Sequence, residues 1–256
     1  MTLLELCNVT LSFKRGRRGV REQVLCDTSF AVHRGEATVV WGTRRSGRTT
    51  LLQVAAGIRG PDAGFVTFAG IDLRRRAMLG ASGGIAYAMT RFEETIAESV
   101  LEHVAAPLMG GRCAPAEALA RAHNALARVD AAACAELRPP ELDDPEAVRV
   151  GIARALVTQP SLLLLDEPTD AVPPARSRDV LLELIHSLSR DDELAIVRTT
   201  GDAASLAGAD RAFTLDGGRL RGPTATPKAT VIQLRAAVSS ARTPQVDGSS
   251  PEKERR

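Results

Sequence analysis

An α/β fold with a mainly parallel sheet is predicted by three features of the sequence. The first is the apolar run Ala37 to Trp41, which leads into Gly42-Thr43-Arg44-Arg45-Ser46-Gly47-Arg48-Thr49-Thr50 and then into the helical pattern Leu51 to Ala56. Strand, glycine loop and helix form the setting in which the spacing G-x-x-x-x-G-K-[ST] cradles phosphate. Here Arg48 stands at the lysine position. The second feature is Leu162-Leu163-Leu164-Leu165-Asp166-Glu167, a short strand long enough to be buried on both faces, ending in two carboxylates. The third is the alternation of helix and strand on either side of that run: helix Glu146 to Leu156, helix Ser177 to Leu188 and strand Leu194 to Val197.

The remaining elements follow in order. Leu4 to Phe13 alternates apolar residues and predicts a strand, with Arg15 to Gly19 as a basic turn. Phe30 and Val32 alternate with polar neighbours until Arg34-Gly35 breaks the run. Phe65 to Phe68, after Pro61-Asp62-Ala63-Gly64, predicts a hairpin strand. From about Glu93 to Val150 the composition turns to Ala, Glu, Arg and Leu, and Ala114 to Asp130 has high helix propensity. A helical subdomain inserted over about 91–148 is expected. A hairpin is expected at Asp216-Gly217-Gly218. Beyond about residue 222, Pro, Thr, Ser and charge dominate, so a largely disordered tail over 223–256 is expected, with a short helix at Val231 to Val238.

Bulk composition excludes several classes. The 256 residues carry 33 basic and 31 acidic side chains, a net of +2. That balance and an aromatic content of 3% predict no nucleic-acid partner. Cys7, Cys26, Cys113 and Cys134 form no C-x-x-C pair and are expected as reduced thiols of a cytosolic protein. His33, His103, His123 and His186 lack metal-ligand spacing. No apolar run approaches the ~18 residues of a membrane span, and Met1 to Glu5 lacks the pattern of a signal peptide. Any membrane role must therefore come through a partner.

Leu3 to Phe13, the glycine loop, Gly57 to Gly64, Val150-Gly151-Ile152-Ala153-Arg154-Ala155-Leu156, the leucine strand with its acid pair and Ala209-Asp210-Arg211 occur in one order. That order closely resembles the nucleotide-binding subunit of ABC transporters, especially the small ATPases of the MacB, LolD and FtsE type, over about residues 3–221. The resemblance implies a P-loop NTPase core with an N-terminal antiparallel β subdomain. It implies ATP and Mg²⁺ as cofactors, with weak binding at these altered motifs. Gly42, Ser46, Gly47, Arg48, Thr49 and Thr50 would cradle phosphate, and Phe13 would stack on the base. Thr49 and Asp166 would hold Mg²⁺, and Glu167 would polarise the attacking water. Each of these positions also has a purely structural reading: a glycine turn, relic carboxylates and a core Phe13.

Several positions depart from the family pattern. Arg48 keeps the charge of lysine but is longer and planar, so it cannot sit in the curled loop as a compact point charge. Arg45 replaces a usual glycine where the backbone can require positive φ. The family's subunits dimerise head to tail, and the LSGGQ signature of one faces the phosphate of the other. Here that signature is Leu142-Asp143-Asp144-Pro145-Glu146, and Pro145 has no N–H to donate. At about 4 Å, each like-charge pair between carboxylate and phosphate costs roughly 1 kcal/mol in water-like surroundings and about 4 in a partly buried interface. Asp144 as N-cap with Pro145 at the first helical position would make a self-capped helix start. Thr90 stands at the glutamine position, Gly201 at the switch histidine and Pro173 at the aspartate that usually ends the loop after Pro168.

Three functional readings remain open. One is a degenerate ATP-binding subunit, held by a membrane permease on the cytoplasmic face, as a hetero- or homodimer with an ABC ATPase subunit. In that case Arg91 to Val104 would help form the groove for the permease. The second is a pseudo-ATPase scaffold or regulator without a permease. The third is an ATPase that still works with Arg48 and Glu167.

Overall fold

The computed structural model describes residues 1–15, 19–88, 99–109, 113–170, 172, 175–191 and 193–224. Thr90, Pro173, the segment 91–98 of the expected groove and the tail from residue 225, with its expected short helix, lie outside the described residues.

Two sheets organise the described chain. The first is antiparallel and is built from β1 (Thr2–Arg15), β2 (Val20–His33), β4 (Ala63–Phe68) and β5 (Ile71–Asp72), in the order β2-β1-β4-β5. The second runs β10-β9-β3-β8-β7-β6, with β3 (Ala37–Trp41), β6 (Ile85–Ala88), β7 (Leu162–Leu165), β8 (Ala195–Thr200), β9 (Arg211–Asp216) and β10 (Arg219–Thr224). Its neighbours are parallel from β9 to β6, and only the edge strand β10 is antiparallel. The expected mainly parallel sheet and N-terminal antiparallel β subdomain are both present.

The leucine strand shows why the pattern reads as it does. Strand side chains alternate between faces. Leu162 and Leu164 join the core shared with the antiparallel sheet, together with Leu4, Val40, Leu51 and Val197. Leu163 and Leu165 join the opposite core with Ile152, Leu181 and Ile196. A central strand covered on both faces needs apolar residues at every position, and each full burial contributes about 1.5–3 kcal/mol.

The helices cover the second face. These are α2 (Val100–Ala105), α3 (Pro115–Arg128), α4 (Asp144–Leu156) and α5 (Ala175–Asp191); α1 (Arg48–Ala55) follows the glycine loop. Ala118, Ala122, Ala125 and Leu126 form the buried stripe of α3, at the three- and four-residue spacing of one helix face. Ser99 caps α2 through its hydroxyl, which accepts from the Glu102 N–H at 3.2 Å.

The start of α4 corrects the sequence reading by one residue. Asp143, not Asp144, is the N-cap, and Pro145 is the second helical residue rather than the first. The Asp143 carboxylate accepts from the Glu146 N–H at 2.8 Å, and Glu146 accepts from the Asp143 N–H at 3.0 Å. This reciprocal capping box outcompetes the Asp144 alternative because Glu146 is three residues after Asp143, the distance at which it can return the bond. The helix correspondingly begins at Asp144 rather than at Glu146. Likewise β8 runs on to Thr200, where the sequence pattern ended at Val197, because its partner β3 continues alongside through Trp41.

Candidate nucleotide-binding site

The carboxyl ends of β3, β7 and β8 lie side by side in the parallel sheet, the edge at which such sheets place their ligands. β3 delivers the glycine loop, β7 delivers Asp166 and Glu167, and β8 delivers Thr199 and Thr200. Between the loop and the antiparallel sheet lies an open cleft of about 390 Å³. It is lined by Phe13, Arg45, Ser46, Gly47, Arg48, Thr49, Thr50 and Glu167, all expected from sequence, and also by Lys14, Glu22 and Val24. The last three were legible only through register: Phe13 pairs with Glu22 across β1 and β2, so the neighbours of both reach the same space.

The loop keeps the shape of a phosphate cradle. Gly47 caps α1 at φ 103, and a β-carbon there would meet the Val24 carbonyl at 2.8 Å, so glycine is required. No side chain caps this helix end, which leaves its N–H groups and positive dipole end facing the cleft. The Ser46 hydroxyl is buried and has no hydrogen-bond partner among the described residues. Such an orphan costs about 1–3 kcal/mol and is relieved by a ligand acceptor or water. Arg45 takes φ 66, the left-handed conformation that its replacement of glycine predicted.

Arg48 does not stay with the loop. Its side chain is 6% exposed and reaches past the loop to the end of β8. One terminal nitrogen donates to the Thr200 carbonyl at 2.9 Å, and the other donates to the Glu167 carboxylate in a close ion pair. The same Thr200 carbonyl accepts from the Gly42 N–H at 3.2 Å, using both of its lone pairs. Gly201 lies beside this contact: a β-carbon there would meet both terminal nitrogens of Arg48 at 3.4 Å, ordinary van der Waals distance.

Around this pair the carboxylates are held by protein groups. Thr199 donates to one oxygen of Asp166 at 2.8 Å, and Tyr87 donates to the other at 3.0 Å. Burial and the Asp166 charge push the Tyr87 phenol up, which keeps it a donor. The Thr199 hydroxyl also accepts from the Glu167 N–H at 2.9 Å, fixing Glu167 at φ 51. Asp170 sits against Glu167; burial and that like charge raise its pKa, and Arg48 opposes the rise. Tyr87, Thr199, Thr200 and Asp170 carried no motif and were not singled out by sequence.

The residues fit a metal ion of the implied kind. Each Asp166 oxygen takes one hydroxyl donor, and a carboxylate has about four lone-pair sites, so capacity remains for metal-bound water. Thr49 is exposed on the cleft wall. Phe13 lines the cleft, and the Arg59 guanidinium lies over its ring at 5.2 Å.

A glycine loop on a parallel sheet, an open helix N-terminus and an acid pair at the next strand end define a P-loop nucleotide-binding protein. The chain belongs to the ABC transporter family, whose model matches residues 25–170. It is 38% identical over 225 residues to the lipoprotein-releasing system ATP-binding protein LolD of Chromohalobacter salexigens, covering 85% of this chain and 92% of that one. Identity to LolD of Pseudomonas syringae pv. tomato is 34%, covering 85% and 96%. The fold matches the ATP-binding cassette MJ0796 in its dimeric post-hydrolysis state bound to ADP and Pi, with a TM-score of 0.75 at 23% identity, over 88% of this chain and 100% of that one. It also matches a nucleotide-free cassette from an ABC transporter, with a TM-score of 0.74 at 19% identity, over 93% and 96%. Among the described residues no helix is long and apolar enough to cross a membrane.

Proposed function

We propose that this chain is a degenerate ATP-binding subunit of an ABC transporter complex. It docks on a membrane permease at the cytoplasmic face and pairs with a second ATPase subunit, with little or no hydrolysis of its own. The observation that carries this reading is the Arg48–Glu167 ion pair. A carboxylate bound to a guanidinium is a poor acceptor for a water proton, so Glu167 is withdrawn from the role its position implies. The capping box of Asp143 and Glu146 supports the same reading from the other side of a head-to-tail dimer. There the helix start satisfies itself, and the segment offers a partner's nucleotide carboxylates instead of N–H donors. Phe13, Gly42, Ser46, Gly47, Arg48, Thr49 and Thr50 are assigned to nucleotide. Thr49 and Asp166 are assigned to Mg²⁺, whose charge would offset that of phosphate oxygens. The lipoprotein-releasing systems to which the relatives belong supply the model for the membrane partner.

The test is an affinity pull-down of the tagged full chain from gently solubilised native membranes, with and without Mg-ATP, together with the steady-state ATPase rate of the purified chain. Recovery of a multi-span permease with a second ATPase subunit, and a negligible rate for the chain alone, is the expected result. Soluble partners only, or turnover of about 1 s⁻¹ or more, in the ordinary enzymatic range, would overturn the reading.

A further inference from the structure

We infer that the cleft is a receptor for a nucleoside diphosphate and discriminates against the triphosphate. The inference rests on the reading of this chain as a nucleotide-holding subunit and assigns the ligand class of that same site.

The cradle itself is intact. α1 is eight residues long, its N-terminus carries no side-chain cap, and the buried Ser46 hydroxyl in the cleft wall lacks a partner. A ligand that rests on Phe13 and places its phosphates on this helix end runs from the wall of the antiparallel sheet towards Glu167. Two phosphoryl groups can use the loop N–H groups, Ser46, and the cations Lys14 and Arg45 of the cleft wall.

The next phosphoryl meets a different surface. The cation of the loop, Arg48, is already neutralised by Glu167 and anchored on the Thr200 carbonyl. Beside it in the cleft wall stands Glu167, with Asp170 against it behind. To receive a third phosphoryl, Arg48 must leave the Thr200 carbonyl and Glu167. It then leaves a partly buried carboxylate facing phosphate oxygens, which is a repulsion rather than a contact. A diphosphate requires no such rearrangement. Lysine at this position has a single ammonium and no planar fork, so it cannot hold Glu167 and Thr200 together in the same geometry.

The experiment is titration calorimetry of the full chain with ADP and with a non-hydrolysable ATP analogue, each with Mg²⁺, on the wild type and on Arg48→Lys. The expected result is ADP binding tighter by about tenfold or more, a preference worth about 1.4 kcal/mol, and collapse of that preference in Arg48→Lys. Glu167→Gln, which removes the charge that holds the guanidinium from outside the loop, serves if Arg48→Lys does not fold, and is expected to shrink the preference as well. A triphosphate analogue that binds as tightly as ADP overturns the inference. So does a preference that neither variant moves. Absence of binding by either nucleotide also overturns it, while leaving untouched the docking and the lack of hydrolysis measured by pull-down and turnover.

Discussion

A β-carbon on Gly201 would sit 3.4 Å from both terminal nitrogens of Arg48. The Arg48 guanidinium therefore lies directly beside the backbone of residue 201, where an added β-carbon would just touch it. The long side chain of Arg48 ends in that space. It then gains two acceptors there, the Thr200 carbonyl and Glu167. Arg48 thereby makes a buried polar contact that no local pattern in the sequence states.

Removal of the guanidinium with retention of the stem tests this contact. Arg48→Met is expected to cost about 1–3 kcal/mol, the usual cost of an acceptor left without its partner. The Thr200 carbonyl keeps the Gly42 N–H, so Glu167 bears most of the loss. Urea unfolding of wild type and variant reads the difference. Equal midpoints would show that the ion pair contributes nothing.

The start of α4 gives a sharper comparison. Asp143→Ala removes the carboxylate that accepts from the Glu146 N–H, leaving only the bond from its own backbone N–H to Glu146, and is expected to cost about 1 kcal/mol. Asp144→Ala, at the first helical residue, is expected to cost less than about 0.5 kcal/mol. Chemical denaturation of the two variants side by side decides which aspartate caps the helix, and the reverse order would restore the assignment to Asp144.

Arg45 holds a conformation that suits glycine. A non-glycine residue in the left-handed region costs about 1–2 kcal/mol, and glycine returns about 0.5–1 of that as extra unfolded-state freedom. Arg45→Gly is therefore expected to stabilise the chain by about 0.5–1 kcal/mol, seen as a higher thermal midpoint. A lower midpoint would mean that the Arg45 side chain makes contacts worth more than the strain.

His103 supplies a pH signature. Burial, helped by the nearby Arg154 charge, lowers its pKa from 6.5 to about 4. The folded state thus favours the neutral ring, and between these values the unfolded chain binds a proton that the folded chain refuses. The contribution of this residue is full above pH 6.5 and is lost as pH falls towards about 4. His103→Gln is expected to flatten the decline in the urea midpoint between about pH 7 and about pH 5, across which an ordinary imidazole titrates. An identical decline in the variant would assign the pH dependence to other groups.

Much of the fold was legible because its signals are local. The glycine spacing, the four buried leucines and the alanine stripe of α3 each state a period or a turn within a few residues. The cleft residues on the loop were legible for the same reason. Lys14, Glu22 and Val24 were not, because their place in the site depends on how β1 and β2 pair. Tyr87 and Thr199 were missed because an isolated hydroxyl carries no spacing signal. Only the adjacency of β6, β7 and β8 brings both to Asp166.

The sequence by itself determined that this chain has an α/β P-loop architecture, that arginine stands at position 48 of the glycine loop and glycine at 201, and that Leu142 to Glu146 carries three carboxylates and a proline. Those facts are carried by residue identity and by short-range pattern. The tertiary structure decided what Arg48 touches. Arg48 finds Glu167 and Thr200, which are more than a hundred residues away in the chain, because parallel strand pairing sets the ends of β3, β7 and β8 next to one another. A buried guanidinium must find acceptors wherever packing supplies them, and no local pattern states where those acceptors lie.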